Sequence, residues 1–290
     1  MNILITGATS FIGKHLCNTL AERYPEYNYM GLCNHMPEHK DGVSEKVDLR
    51  YCPIYTVNTT HAILAKFTPD FIFHLASLSK PNFVNSYKMW ETNALGTMLL
   101  INSLRKPCPV VFTSTANIWN SGKELITTHY AASKRAAEDI LDLAVTEQKI
   151  TCSNVLRLCG VVGSGMTHGL LADIVSKVKN DSNTITVGPN TSKKYLHIED
   201  VVDILAGEIH YQATGSFLRT ICPHDQLSTN EVVNIGLDVF GKNKEIINNE
   251  SLDYIGNIRN HNPENDYGRI YKRKYSTSKD AVRKAFESYV

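Results

Sequence analysis

Tyr130 and Lys134 stand four residues apart in a stretch with a helical pattern of apolar residues. Residues at this spacing lie on one face of a helix, so the phenol would lie beside the ammonium group. A free phenol has a pKa of about 10, and a neighbouring positive charge stabilises the phenolate and lowers that pKa. Thr115, at the end of an earlier apolar stretch, can hydrogen-bond the same substrate oxygen. These residue types predict a catalytic set of Thr115, Tyr130 and Lys134 that exchanges a proton with a hydroxyl or carbonyl.

A glycine-bearing turn near the start of the chain predicts a phosphate site. The strand-like segment Asn2–Thr6 leads into the turn, and an amphipathic stretch follows it. Free N–H groups and the helix dipole favour anions at a helix N-terminus, where such a turn holds a dinucleotide pyrophosphate. Ser10 occupies the position where a middle glycine is usual, but it is small enough for close backbone approach. We expect the cofactor to contact Gly7, Thr9, Ser10, Phe11, Ile12 and Gly13.

The end of the second predicted strand bears on the type of dinucleotide. An acidic residue there binds the adenosine ribose hydroxyls and repels a 2′-phosphate. Here Asn34 and His35 stand in its place, and Lys40 follows, so the sequence favours NADP over NAD. The alternative is that Asn34 bonds the ribose of NAD without a charge. Asp48, next to Leu49, is predicted to reach the adenine amino group.

Two further polar positions lie in apolar surroundings. His74 ends an apolar strand before Leu75, Ala76 and Ser77, and we interpret it as a core histidine with satisfied hydrogen bonds. Asn93 and Gly96 are poor helix formers within a predicted helix,. They indicate either close packing between helices or, for Asn93, hydrogen bonds to backbone near the active site.

Composition excludes several classes of protein. The chain has 290 residues and a formal net charge of +1, so no broad charged surface is available for nucleic acid,. The basic segment 269–274 is interpreted as a solvated surface. Seven scattered cysteines show neither disulfide nor zinc spacing, so no metal is expected,. A strand at the N-terminus leaves no room for a signal peptide, and no stretch is long enough to span a membrane, which predicts a cytoplasmic protein.

Short apolar runs alternate with helical patterns through the first half of the chain, which predicts βαβ units and a parallel sheet. The predicted strands are 2–6, 27–33, 71–75, 110–114, 153–158 and 184–187. The predicted helices are 11–23, 61–66, 83–104, 129–145, 170–179, 198–210 and 278–289. We therefore expect an α/β, doubly wound, Rossmann-like fold, with a dinucleotide-binding domain over 1–160 and a smaller substrate-binding cap over 161–290.

With these residues in view, the chain resembles the extended short-chain dehydrogenase/reductase superfamily, specifically its NAD(P)-dependent sugar-nucleotide epimerase/dehydratase family. The resemblance rests on ordered blocks at 6–13, 48–49, 74–77, 93–97, 112–119, 130–134, 155–163, 195–202 and, weakly, 276–279. It implies a bound NAD or NADP, a nucleoside-diphosphate sugar in the cap, and a homodimer through the helices near 83–104 and 130–145. It also implies cofactor contacts by Leu75, Ala76, Ser77, Asn93, Tyr130 and Lys134, and substrate contacts by Ser79, Thr115, Asn117 and Lys193.

Departures from the family pattern narrow the reaction. Family dehydratases carry an acidic pair directly after the catalytic hydroxyl, and decarboxylases carry a glutamate beside it, but Ala116 and Asn117 stand here. Only fourteen residues separate Thr115 from Tyr130, which indicates a shortened loop. The asparagine that contacts the diphosphate in the family is replaced within 157–160, and Lys193 replaces an arginine, so a phosphate contact there would lack a bidentate fork,.

Four functional hypotheses remain at this level. The first is an NADP-preferring reductase of a nucleotide-activated keto-deoxysugar, with Tyr130 as the acid. The second is a 4-epimerase that keeps NAD tightly bound. The third is a carbonyl reductase of a small substrate without a nucleotide. The fourth is a non-catalytic dinucleotide sensor, against which the complete Thr115, Tyr130 and Lys134 set argues.

Overall fold

The computed structural model describes residues 1–35, 42–79, 86–120, 123–124, 126–180, 182–210, 213–249 and 275–290. Lys40, the start of the helix predicted over 83–104 and the basic segment 269–274 lie outside the described residues. The longer strands are β1 Asn2–Thr6, β2 Asn28–Cys33, β3 Val47–Tyr51, β4 Phe71–His74, β5 Pro109–Thr115, β6 Cys152–Leu158, β7 Gly160–Val162, β8 Thr184–Val187, β9 Tyr195–His197, β10 Gly215–Ile221 and β11 Glu245–Asn248.

A seven-stranded sheet has the order β10-β6-β5-β4-β1-β2-β3. Strand β1 pairs in parallel with β2 and β4, β2 with β3, and β4 with β5. The chain builds outward from β1 to β3 and then returns to build from β4 in the other direction. This reversal is the switch point of a doubly wound sheet, where ligands bind beyond the carboxyl ends of the strands. The predicted Rossmann-like α/β fold is confirmed.

The α-helices are α1 Phe11–Arg23, α2 Val57–Lys66, α3 Ser86–Trp90, α4 Gly96–Asn102, α5 His129–Thr146, α6 Leu170–Val178, α7 Ile198–Gly207, α8 Thr229–Val239 and α9 Ser278–Glu287. Side-chain oxygens of Ser10, Thr128, Ser228 and Thr277 cap α1, α5, α8 and α9 by accepting backbone N–H bonds in their first turns,. A single π-helical turn, Glu91–Leu95, joins α3 to α4.

The chain forms two compact units. The first comprises Met1–Ile118, Ile126–Arg157 and Val202–Arg219, and the second comprises Trp119–Leu125, Leu158–Val201 and Thr220–Val290. In the first unit a core that includes Leu4, Ile72 and Phe112 packs against the buried face of α5, formed by Ala137, Leu141 and Ala144. In the second unit α6, α8 and α9 bury residues that include Ile174, Val232 and Phe286. The helix predicted over 278–289 is thus present as α9.

Several elements were absent from the sequence predictions, among them β3, β10 and α8. Strand β3 is short, with Asp48 exposed between buried Val47 and Leu49. Strand β10 is an edge strand in which more and less exposed residues alternate, and only Arg219 and Ile221 are buried. Helix α8 follows a capping box made by Ser228 and Glu231. Edge strands with polar residues give a weak apolar signal, which explains the first two omissions.

Among the described helices, none is long and apolar enough to cross a membrane. All seven cysteines lie in the described part of the chain, where they are buried as thiols. Burial raises the pKa of Cys17 and of Cys108 to about 12. These two thiols therefore act as small apolar core residues at neutral pH.

Candidate active site

The turn between β1 and α1 has the form expected of a phosphate site. Gly7 has a φ of +70°, which side chains disfavour,. A Cβ atom at Gly7 would stand 2.8 Å from the backbone nitrogen of Ala76, and one at Gly13 would stand 2.1 Å from the backbone oxygen of Gly7. Both positions therefore require glycine. Ser10 Oγ accepts a hydrogen bond of 3.1 Å from the N–H of Gly13, so the missing glycine is replaced by a helix cap.

A cavity of about 160 Å³ adjoins this turn within the first unit. It is lined by many of the residues that the sequence assigns to the cofactor, namely Gly7, Thr9, Ser10, Asn34, His35, Ala76 and Ser77. These residues follow β1, β2 and β4, beside the switch in strand order. A glycine-walled turn, a helix N-terminus and uncharged polar groups in one cavity fit a dinucleotide.

The cavity also contains residues that sequence analysis missed, including Cys52, Pro53, Ile54 and Tyr55. The sequence assigned this contact to Asp48 and Leu49, but β3 continues to Tyr51, so the residues beyond its end line the cavity. Asp48 instead pairs with Arg50 at 2.8 Å, and Leu49 is buried. Pro53 was the available signal, because proline rarely continues a strand.

His74 lies at the centre of a row of hydrogen bonds. Its Nδ1 lies 2.7 Å from Thr6 Oγ1, and its Nε2 lies 2.8 Å from Thr97 Oγ1. Thr97 donates its only proton to the backbone oxygen of Asn93 at 2.7 Å, so Nε2 must donate and Nδ1 must accept from Thr6,. Burial, followed by the charge of Lys134, lowers the pKa of His74 to about 3. The prediction of a core histidine with satisfied bonds is confirmed.

Asn93 uses all of its hydrogen-bonding capacity on neighbouring segments. Its Oδ1 accepts from Ser77 Oγ at 3.1 Å and from the N–H of Leu78 at 2.8 Å. Its Nδ2 donates to the oxygen of Leu78 and to Ser133 Oγ, each at 3.0 Å. Asn93 therefore holds the segment after β4 against α5 and makes the backbone contacts that the sequence predicted. Gly96 is closely packed as well, although against a turn rather than another helix, since a Cβ there would stand 2.8 Å from Ile54 Cγ1.

Tyr130 stands in the first turn of α5, with its hydroxyl hydrogen-bonded to Ser77 and Thr115. Burial raises the pKa of Tyr130 to about 12, and these two hydrogen bonds offset part of the rise. The phenol is therefore protonated at neutral pH. Burial is the largest effect on this pKa, and Lys134 is not among the groups that shift it in these residues alone, so the lowering expected at the occupied site stays a prediction,.

Lys134 lies one helical turn after Tyr130 and is almost completely buried. Its Nζ stands 4.0 Å from the centroid of the Phe112 ring, in position for a cation–π interaction,. Burial lowers the pKa of Lys134 to about 7, against the opposing effect of the Glu138 carboxylate. The charge of this ammonium therefore depends on the groups packed around it.

The predicted substrate residues occupy different places. Thr115 is buried at the end of β5, and its Oγ1 accepts a hydrogen bond of 3.1 Å from the N–H of Asn117. Ser79 is exposed, and Lys193 is half-buried in the two-residue strand Ser192–Lys193 of the second unit. Thr115, Ser77 and Tyr130 thus come together, while the roles of Asn117, Ser79 and Lys193 stay predictions.

A family model matches residues 3–210, a range that includes the glycine turn, the cavity and the catalytic set. It describes the NAD dependent epimerase/dehydratase family. The chain belongs to this family. The resemblance drawn from the motifs is thereby confirmed, and with it the expectation of an enzyme that uses a nicotinamide dinucleotide.

Two sequence relatives of this epimerase/dehydratase family member carry names that describe reactions of nucleotide sugars. A UDP-2-acetamido-2,6-beta-L-arabino-hexul-4-ose reductase of Pseudomonas aeruginosa is 25% identical, with 80% of this chain and 56% of the relative covered. A GDP-6-deoxy-D-talose 4-dehydrogenase of Aggregatibacter actinomycetemcomitans is 29% identical, with 71% and 69% covered. The chain thus spans little more than half the length of the first relative.

Solved structures agree on the fold. A UDP-glucose 4-epimerase from Thermotoga maritima superimposes with a TM-score of 0.85, covering 100% of this chain and 98% of that chain at 17% identity. At this identity the likeness concerns the fold alone.

Proposed function

We propose that this protein reduces the keto group of a nucleotide-activated deoxysugar, with Tyr130 as the proton donor. The observation that carries the proposal is a protonated phenol hydrogen-bonded to Thr115 and Ser77, with no carboxylate in the segment 115–118. The resemblance implies that family dehydratases and decarboxylases need an acidic residue there, and Ala116 and Asn117 provide none. The names of the two sequence relatives, a reductase and a 4-dehydrogenase of sugar nucleotides, support the same class of reaction.

The side chains of the site are suited to protonate a carbonyl oxygen. Thr115 and Ser77 hold the Tyr130 hydroxyl, and its raised pKa keeps a proton available at neutral pH. A nicotinamide dinucleotide held at the turn between β1 and α1 would supply the hydride,. Tyr130 gives its proton to the carbonyl oxygen and becomes a phenolate, which the Lys134 ammonium one turn away stabilises. Thr115 orients the same oxygen by a hydrogen bond.

We infer a preference for NADP over NAD from the end of β2. Asn34 and His35 are exposed there, line the cavity and bring no negative charge against a 2′-phosphate. Asn34→Asp is expected to weaken NADPH binding about tenfold or more while NADH binding changes little, because only the 2′-phosphate meets the new carboxylate. Fluorescence titration with both dinucleotides checks this, with Asn18→Asp as a surface control. Tighter binding of NADH than of NADPH by the unaltered protein would contradict the inference.

The decisive assay uses a UDP- or GDP-linked 4-keto-6-deoxyhexose with NADPH. The reductase proposal expects one NADPH consumed for each sugar reduced. A 4-epimerase, the main alternative, would consume no added NADPH, would interconvert two nucleotide sugars and would retain its NAD through purification. Turnover of simple ketones combined with no effect of nucleoside diphosphates on the melting temperature would favour a small-molecule carbonyl reductase. Binding of the dinucleotide without turnover of any of these substrates would favour a sensor.

We also infer that the first unit binds the cofactor, that the region 161–290 supplies substrate contacts, and that the protein is a homodimer. The helices α3 to α5 with the π turn leave large apolar side chains exposed, namely Tyr87, Leu95, Met98 and Leu143. Exposed apolar residues on neighbouring helices favour burial against a second copy. Light scattering on the purified protein gives the mass that checks this.

A further inference from the structure

Glu138 lies one helical turn beyond Lys134 on α5, and its side chain is only about 3% exposed. Arg157, on β6, donates to it from Nε at 3.0 Å and from a terminal nitrogen at 2.6 Å, one bond to each carboxylate oxygen. Ser114 Oγ and Arg135 also bond the carboxylate. Four donors from three elements therefore fix a negative charge inside the first unit.

These contacts connect Glu138 with every catalytic position. Ser114 immediately precedes Thr115 on β5, so its bond to Glu138 ties the strand that carries Thr115 to the helix that carries Tyr130 and Lys134. The face of α5 thus presents Tyr130, Lys134 and Glu138 at successive turns. A carboxylate fixed at the third turn can therefore hold both the Lys134 ammonium and strand β5 in position relative to the Tyr130 hydroxyl.

The charge of Lys134 has few other supports in its surroundings. The Phe112 ring faces it from β5, the neutral imidazole of His74 lies nearby on β4, and the uncharged Tyr130 precedes it on α5. Arg157, from β6, reaches this region through Glu138 and carries a like charge. Burial lowers the pKa of Lys134, and Glu138 is the group that raises it.

We propose that Glu138 is a positioning residue, which keeps the Lys134 ammonium charged and in place beside Tyr130 during the reaction. This inference rests on the proposed function, because it assigns Glu138 to the proton-donating set. A purely structural ion pair is the competing explanation. The chain offers a matched control in Glu208, which is equally buried and pairs with Arg219 at 2.6 Å.

The test is the titration of Lys134, followed by NMR of protein labelled with ¹³C in its lysine side chains. The Lys134 signal is identified by its loss in Lys134→Met. Glu138→Gln keeps the shape of the side chain but removes its charge, so the Lys134 midpoint is expected to fall from about 7 by about one pH unit or more,. Glu208→Gln should leave that midpoint unchanged. The same midpoint in folded Glu138→Gln as in the unaltered protein would overturn the proposal.

A second variant covers the case in which Glu138→Gln does not fold. Glu138→Asp keeps the charge and withdraws it by one methylene, so a smaller fall in the Lys134 midpoint is expected, and an unchanged midpoint would overturn the proposal. When a substrate is known, kcat can be measured as the pH is raised. The kcat of either variant should begin to fall at a lower pH than that of the unaltered protein, because Lys134 loses its proton at a lower pH. The titration needs no substrate, so its failure is distinct from a failure to find the proposed turnover.

Discussion

Two buried Glu–Arg pairs lie on either side of β6, and only one of them contacts catalytic segments. Arg157 and Asn154 are both on β6, three residues apart, so their side chains point to opposite faces of the sheet,. Arg157 pairs with Glu138 on one face, while Asn154 bonds both Arg219 and Glu208 on the other. Each group thus contains a carboxylate, a buried guanidinium and one uncharged polar side chain, and the first also includes the partly exposed Arg135.

The difference between the pairs lies in their neighbours. Glu138 shares a helix face with Tyr130 and Lys134, whereas Glu208 follows the end of α7, in a short helical turn. A buried ion pair is weak support for stability, because removing two charges from water costs about as much as their attraction returns. Whether such a pair supports the candidate active site therefore depends on where the pair lies, since both pairs consist of a glutamate and an arginine.

The largest expected effect comes from removing the hydroxyl of Tyr130, which lies on the same helix face as Glu138 of the Glu138–Arg157 pair. Tyr130→Phe removes the proton donor but keeps the ring, so kcat for a nucleotide keto-sugar should fall about 1,000-fold. NADPH binding and the melting temperature should change little. Steady-state kinetics measures kcat, fluorescence titration measures NADPH binding, and thermal unfolding gives the melting temperature. Tyr195→Phe, in the second unit, is the control. Turnover within a few-fold of the unaltered protein would show that the region around Glu138 is not catalytic.

The arginines separate stability from activity. Arg219→Met and Arg157→Met each remove the buried guanidinium from a buried carboxylate, which leaves Glu138 with the partly exposed Arg135 and Glu208 with Asn154, so each should lower the free energy of unfolding by about 3–5 kcal/mol,. Urea unfolding measures this loss. The folded fraction of Arg219→Met should keep its turnover, while that of Arg157→Met should lose it. Adding Glu208→Leu to Arg219→Met should restore most of the stability. Equal loss of turnover in both single variants would erase the distinction between the pairs.

The smallest effect concerns pH and the second pair. Burial raises the pKa of Glu208 above its ordinary value of 4.5, so the folded protein holds this proton more tightly than the unfolded chain. The free energy of unfolding therefore falls as pH rises from 4.5 through the raised value,. Glu208→Gln does not titrate and should lack this decline, which amounts to about 1.4 kcal/mol for each pH unit between the folded and unfolded pKa values. Urea unfolding at several pH values checks it, and parallel curves would contradict it.

The strongly apolar parts of the fold were predictable from sequence, and the weakly apolar parts were not. Strands β1 and β8 have the predicted bounds, because continuous or alternating apolar residues with clear turns enclose them. Strand β10 could not be found in this way, since it is stabilised by a neighbouring strand and by a pair between Arg219 and a distant glutamate. The poor helix formers Asn93 and Gly96 marked this part of the helix as unusual, but not as a π turn, because the side-chain bonds of Asn93 go to Ser77, Leu78 and Ser133 outside it.

The part of the site that depends on spacing along one helix was predictable from the sequence. Tyr130 and Lys134 followed from their separation, and Glu138 continues the same spacing. Its role was invisible because its partner lies 19 residues away on a strand, and strand register decides that contact. The raised pKa of Tyr130 was likewise out of reach, since it depends on how completely the whole unit excludes water. An arginine within the apolar run of β6 was the one available hint of a buried carboxylate,.

The hydrogen bonds through His74 all point the same way. The N–H of Ala76 donates to Thr6 Oγ1, Thr6 donates to His74, His74 donates to Thr97, and Thr97 donates to the backbone oxygen of Asn93. A second proton on the imidazole would make Nδ1 a donor as well, so the Thr6 hydroxyl would have to turn its own proton away from the imidazole,. Because burial lowers the pKa of His74 to about 3, only strong acid would disturb this row, which begins at Ala76 on the wall of the cofactor cavity.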